Sequence, residues 1–324
     1  MGTRKWPKLL LRIAVSATLL ALLLHREGGQ KVLENLSRLS PWFVLFAWVF
    51  YAGCQWLSAW RWHLLLLPKQ IDVPISKLFR FYMVGMFLNN FMPGAVGGDV
   101  VKAYYLYRWI KHGNYAVISV FLERFTGLIG LTIISVVTLL FGYSYIASPI
   151  ILYIVAATSA LLVAIVVVLW CEPISDFAIR SFRWLLPAAF VRRLHELYAA
   201  LAGYRRHGGT LLTTIAISVV IQLLFAVYYA LASQALGIPI DIIYFMLFLP
   251  PVTLLTMIPI SLGGLGVREG VMIFLFSRVG VSAADILAIS LSVHVLNTLL
   301  SVWGGLLLLG KEHVPKVAMF QQDA

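Results

Sequence analysis

The chain has 324 residues, 61% of them apolar and only 12% charged, with 25 Lys and Arg against 13 Asp and Glu, and a mean hydropathy of +0.92. Soluble domains carry about a quarter charged residues, which excludes a soluble fold. The apolar runs are also longer and more uniform than the roughly ten-residue alternating strands of a membrane β-barrel. The composition is that of an all-α polytopic membrane protein. Its excess of bases is expected on cytoplasmic loops and not on a nucleic-acid surface.

In chain order, Arg4, Lys5 and Lys8 accompany an apolar stretch over about 7–24. His25-Arg26-Glu27 stands where a cleavable leader would place small residues, so this stretch reads as a retained first span. A second span is expected over about 42–60. Residues 78–111 are apolar but interrupted by Pro and Gly, and further spans follow over 116–141 and 150–170. The connection 171–209 carries Phe190, Leu194, Leu197, Leu201 and Tyr204 at helical spacing opposite Arg192, Arg193 and Glu196. That pattern suits an amphipathic helix, lying on an anionic leaflet or packed on the bundle's own ends. A span over 211–236, a second broken segment over 243–279, a last span over 282–309 and a tail over 311–324 follow. Each piece of a broken segment has about 13 to 16 residues, short at 1.5 Å per residue of the roughly 30 Å of hydrocarbon. Cys54 and Cys171 make neither a disulfide framework nor a metal spacing, and no metal or cofactor is expected.

Nineteen of the 25 bases, Arg61, Lys69, Lys77 and Arg80 after the second span among them, fall on one side if both termini are cytoplasmic. The expected location is the cell membrane in that orientation. Each broken segment then returns to the side it left, as a re-entrant hairpin or a pair of short crossings. The two breaks resemble each other. Pro93-Gly94-Ala95-Val96-Gly97-Gly98 is followed by Lys102, and Pro259-Ile260-Ser261-Leu262-Gly263-Gly264 by Arg268, with Pro259 lying 166 residues after Pro93. The same offset carries 42–60 onto 208–226 and 116–141 onto 282–307. Residues 1–141 and 150–310 therefore read as two repeats of opposite orientation: six full spans plus two broken re-entrant hairpins in an inverted repeat. Broken helices at matched positions of such repeats point to a transporter site near the midplane.

Met92-Pro93-Gly94-Ala95-Val96-Gly97-Gly98-Asp99, Glu123-Arg124-Phe125-Thr126-Gly127-Leu128, and Ile258-Pro259 with Gly263 through Gly270 resemble the lysylphosphatidylglycerol synthase transmembrane region, the flippase-like integral membrane family, over nearly the whole chain. The resemblance implies a lipid-translocating membrane domain. Larger relatives carry a soluble aminoacyl-transferase domain. This chain runs only about fifteen residues past its last span, so lipid aminoacylation is not part of the expectation.

Ionisable side chains at membrane depth cost at least about 2.5 kcal/mol on insertion scales. Glu123 and Arg124 are adjacent on a helix, face different ways and need partners elsewhere, such as Lys102 for Glu123. Lys102 and Arg268 fall in the first turn after each break, where the helix dipole disfavours cations unless an anion is also held there. That anion is either a lipid phosphate or one of Asp99, Glu123 and Glu269. Gly97, Gly98, Gly263 and Gly264 permit unusual φ and close approach of a headgroup. Asn89 and Asn90 are placed to bond a headgroup or loop carbonyls. No nucleophile elbow, phosphate-binding loop or His-rich spacing is present, and no catalytic residue is assigned. The expectation is a lipid flippase with alternating access around two facing hairpins. Its partner would be a membrane lipid with an anionic headgroup, a phospholipid or polyisoprenyl-linked intermediate, with a homo-oligomer or association with a lipid-synthesis enzyme left open. The alternative is a lipid-modifying membrane enzyme, or an accessory subunit of one, using Glu123 or Glu269 as acid or base.

Overall fold

A computed structural model describes residues 39–91, 97–111, 113–142, 149–171, 207–257 and 263–309, with isolated positions such as Tyr204 and Ser261. Most of the expected span over 7–24, the first break at 92–96, residues 258–260 and 262 at the second break, nearly all of the 171–209 connection and the tail lie outside these residues. Nine α-helices are described: α1 Pro41–Leu66, α2 Ile75–Phe91, α3 Gly97–Ile110, α4 Gly113–Phe141, α5 Pro149–Trp170, α6 Gly208–Ala235, α7 Ile242–Thr256, α8 Val267–Phe276 and α9 Ala283–Leu309. No strand occurs among the described residues. Helices α1, α4, α5, α6 and α9 are long and apolar enough to cross a membrane, and they coincide with five of the six expected spans.

Local chemistry explains the helix ends. Ser40 caps α1 by accepting from the Phe43 amide at 3.1 Å, with Pro41 at the first helical position where no amide is needed. Asp241 caps α7 through the Ile243 amide at 3.0 Å. One boundary differs from the expectation. α1 does not end near Trp60, because Trp62, Leu65 and Leu66 continue its buried face. Arg61, expected in a loop, is therefore inside the helix.

Between the long helices lie two pairs of short ones. α2 and α3 have 17 and 14 residues, and α7 and α8 have 15 and 10. Their lengths are about 25, 21, 22 and 15 Å, so no single arm reaches across about 30 Å of hydrocarbon. At the base of the first pair the Lys77 ammonium sits 3.4 Å from the centroid of the Trp109 ring, joining the outer ends of α2 and α3. On the same flank, Tyr204 donates to the Leu65 carbonyl, and burial pushes its hydroxyl pKa up to about 12.

The 166-residue offset maps α1, α2, α3 and α4 onto α6, α7, α8 and α9. The packing obeys the same mapping. α1 against α2, α2 against α3, and α3 against α4 have their counterparts in α6 against α7, α7 against α8, and α8 against α9. Across the halves, α2 against α9 corresponds to α7 against α4, and α1 packs on its own counterpart α6. Contacts of Arg61 with Ser218 and of Tyr51 with Phe225 make α1 and α6 antiparallel. The halves thus interleave and are not separate domains.

Glycine sets the closest approach. A Cβ at Gly304 of α9 would collide with the Met83 carbonyl of α2. At Gly270 of α8 it would meet nothing. Gly304→Leu is therefore expected to force α2 and α9 apart at a cost of about 1–3 kcal/mol, read as a fall in melting temperature of the purified protein, whereas Gly270→Ala leaves that temperature unchanged.

Candidate functional site

One face of α1 carries Tyr51, Gln55, Ser58 and Arg61, spaced so that all four line the same side of the helix. With Tyr82 and Asn89 of α2, Gly98, Asp99 and Lys102 of α3, Glu123, Arg124 and Leu131 of α4, Gln222 and Phe225 of α6, Thr253 of α7 and Met257 at its C-cap, they line a cavity of about 370 Å³.

Its charged end is organised by Glu123, which is 4% exposed. Oε1 accepts from Arg61 Nη2 at 2.5 Å and from the Tyr82 hydroxyl, and Oε2 accepts from Lys102 Nζ at 2.7 Å. Arg61 also donates from Nη1 to Ser218 Oγ at 2.7 Å. Lys102 lies 3.4 Å from Asp99 and 4.0 Å from the centroid of the Tyr82 ring. Asp99 receives both Nε and Nη2 of Arg124, at 2.8 and 2.9 Å. Such bidentate, charge-assisted bonds are the strong kind. Three bases face two acids, so the constellation holds one uncompensated positive charge. Arg61 Nε is buried and has no hydrogen-bond partner among the described residues.

The expected residues separate into groups. Lys102, Glu123, Arg124, Asp99, Gly98 and Asn89 line the cavity. The Asn89 Oδ1 accepts the Gly98 amide at 2.7 Å, satisfying an orphan donor in the first turn of α3. Asn90 points away and donates to Ser301 Oγ of α9 at 2.9 Å. Gly97 opens α3. At Gly98 a Cβ would strike the Gly85 carbonyl, so this glycine serves the close approach of α2 and α3. Gly263 and Gly264 have φ of +55° and +79°, so at the second break the glycines serve backbone conformation.

Arg268 and Glu269 do not line the cavity. Glu269 is fully buried. Its Oε1 accepts from Arg268 Nη2 at 2.6 Å and from Ser290 Oγ at 3.0 Å, and its Oε2 accepts the Gly266 amide at 2.6 Å. The second base is thus engaged by an internal carboxylate, as Lys102 is. The offset explains why the halves differ: Arg61, Tyr82, Asn89, Asp99 and Glu123 correspond to Val227, Phe248, Leu255, Leu265 and Ile289. The polar constellation belongs to the first half, α1 to α4, and the second half supplies mostly apolar wall.

Arg61, Tyr82 and Gln222 were not among the expected site residues. The signal for Arg61 was a lone base inside the aromatic run Trp60-Arg61-Trp62.

The chain is similar to known sequences along nearly its whole length. The model of the lysylphosphatidylglycerol synthase TM region matches residues 9–305. A UPF0104 membrane protein of Pyrococcus horikoshii is 26% identical, the match covering 92% of this chain and 96% of that protein. A UPF0104 membrane protein of Methanothermobacter thermautotrophicus is 28% identical, covering 90% of each.

Removing the shared carboxylate strands two buried cations. Glu123→Gln is expected to cost about 3–5 kcal/mol and to lower the melting temperature more than Lys102→Met, which leaves Glu123 held by Arg61 and Tyr82. Joining Lys102→Met to Glu123→Gln is expected to recover part of the loss. At the second cluster, Arg268→Met strands Glu269, and adding Glu269→Gln is expected to restore stability. The same thermal-unfolding series reads both.

Proposed function

Because the chain belongs to the lysylphosphatidylglycerol synthase TM-region family, and because its cavity lies within an integral multi-pass membrane bundle, we propose that it moves a lipid with an anionic phosphate headgroup between leaflets. One observation carries the reading: three bases against two acids around a cavity walled by membrane-spanning helices. A phosphodiester brings one negative charge. The loaded constellation is then neutral, and a rearrangement that carries it through low dielectric moves no net charge. The headgroup occupies the cavity while the lipid chains stay in the bilayer.

In this reading the two short-helix pairs are re-entrant hairpins of an inverted repeat. Support comes from arms too short to cross, the antiparallel α1 and α6, and a packing map that repeats at the 166-residue offset. Both termini face the cytoplasm of a cell membrane, by the charge bias of the loops. No catalytic step is assigned. Glu123 and Glu269, the carboxylates an acid–base role would use, are each engaged by several donors.

The test is reconstitution into liposomes with tail-labelled phospholipids, scoring both translocation and chemical conversion. Arg124 is 46% exposed at its side chain, where solvent screens the pair, and Asp99 keeps Lys102 at 3.4 Å, while Arg124→Gln cancels the excess charge. This variant is expected to keep a near-native melting temperature and to lose about tenfold or more of anionic-lipid translocation, a change equivalent to about 1.4 kcal/mol. Unchanged translocation, or conversion of the lipid without movement, overturns the proposal.

A further inference from the structure

The cavity has a second chemistry beyond its charged end. Along α1, Gln55 lies six residues and Tyr51 ten residues from Arg61, about 9 and 15 Å by helical rise. On antiparallel α6, Ser218 bonds Arg61, Gln222 lies one turn beyond it, and Phe225 meets the Tyr51 ring at 6.1 Å. The far half of the cavity is therefore lined by two amides, the Thr253 side chain and two aromatic rings, with no ionisable acid or base among those side chains except the phenol of Tyr51. Among the described residues no side-chain hydrogen bond engages the Gln222 amide, although Gln222 lines the cavity. At the charged end, Arg61 Nε is likewise buried without a partner.

Amides both donate and accept, as hydroxyl groups do, and aromatic faces take the C–H surface between hydroxyls. An ammonium in this half would find no carboxylate beside it and would face a net positive charge one or two turns away. A hydroxylated, uncharged group matches instead. Resting on the headgroup reading above, we infer that the ligand is a phosphodiester whose terminal substituent is a neutral polyol or sugar: the phosphate meets Arg61 and its neighbours, and the hydroxyls meet Gln55, Gln222 and Thr253.

Binding is measured first, on the purified full chain in detergent, with the soluble diesters glycerophosphoinositol, glycerophosphoglycerol, glycerophosphoethanolamine and dimethyl phosphate. Glycerophosphoinositol or glycerophosphoglycerol is expected to bind about tenfold or more tightly than dimethyl phosphate and glycerophosphoethanolamine, the worth of one or two hydrogen bonds. Gln222→Leu and Gln222→Ala, at a side chain with no hydrogen bond among the described residues, should erase that preference and leave the dimethyl phosphate affinity in place. Equal affinity for dimethyl phosphate, tighter binding of the ethanolamine diester, or a preference unmoved by both substitutions overturns the inference. Liposomes containing tail-labelled phosphatidylinositol, phosphatidylglycerol and phosphatidylethanolamine then separate the sources. Faster movement of the two hydroxylated lipids identifies a lipid ligand, and uptake of the soluble diesters without lipid movement identifies a free phosphodiester. Selective diester binding with no lipid movement upholds this inference while ending the lipid-transport reading.

Discussion

A single carboxylate, that of Glu123, ties four helices together at one point. It stands on α4 and is met by Arg61 from α1, Tyr82 from α2 and Lys102 from α3. Away from water an unpaired carboxylate is heavily penalised, and so is each of the two cations. None of the three has an alternative partner of equal quality, except that Lys102 also reaches Asp99. The position of the first hairpin, the run of α1 through Leu66 and the room beside Gly127 for the Arg61 guanidinium all follow from satisfying this group. The excess base that the proposed anion recognition uses exists because Asp99 and Glu123 are shared among three cations and not matched one to one.

The scaffold is nearly two-fold in its packing, and its chemistry is not. At the positions where the first half carries Tyr82 and Glu123, the second has Phe248 and Ile289, and both are buried in the core that packs α7, α8 and α9. Arg268 keeps the place of Lys102, but its acid comes from the next residue and from no neighbouring helix. A pair that is neutral and closed on itself holds the start of α8 through the Gly266 amide and presents no charge to the cavity. The matched packing of the two halves thus forms a frame, in which the first half holds the polar site and the second walls it.

Much of this frame was legible in the residues. Long apolar runs, broken by Pro and Gly at matched positions, marked the spans and the short helices, because hydrophobic length is set by the bilayer. Lys102 with Glu123 was legible because two opposite charges at depth have few other solutions. Arg61 was hidden by the charge rule itself: ending the span at Trp60 turned a buried base into a loop base. Asn89 was legible as a candidate, but its bond to the Gly98 amide was not, because the two become adjacent only when α2 and α3 pack together. The pairing of Arg268 with Glu269 ran against the geometry of adjacent helical residues. It forms because a long guanidinium side chain folds back to a carboxylate already anchored by Ser290 and Gly266.

The clamp of Lys77 on Trp109 has a mechanical side. It joins the outer ends of α2 and α3, while the Gly85–Gly98 contact and the Asn89 cap join them near the inner end. Two rods fastened at both ends cannot scissor; they can only swing as one beam. With α3 about 21 Å long, a tilt of roughly ten degrees about the clamp displaces the inner end by about 4 Å, more than the length of a hydrogen bond. A small rotation at the Lys77–Trp109 end would thus be geared up into a displacement large enough to make or break contacts at the Gly98 end.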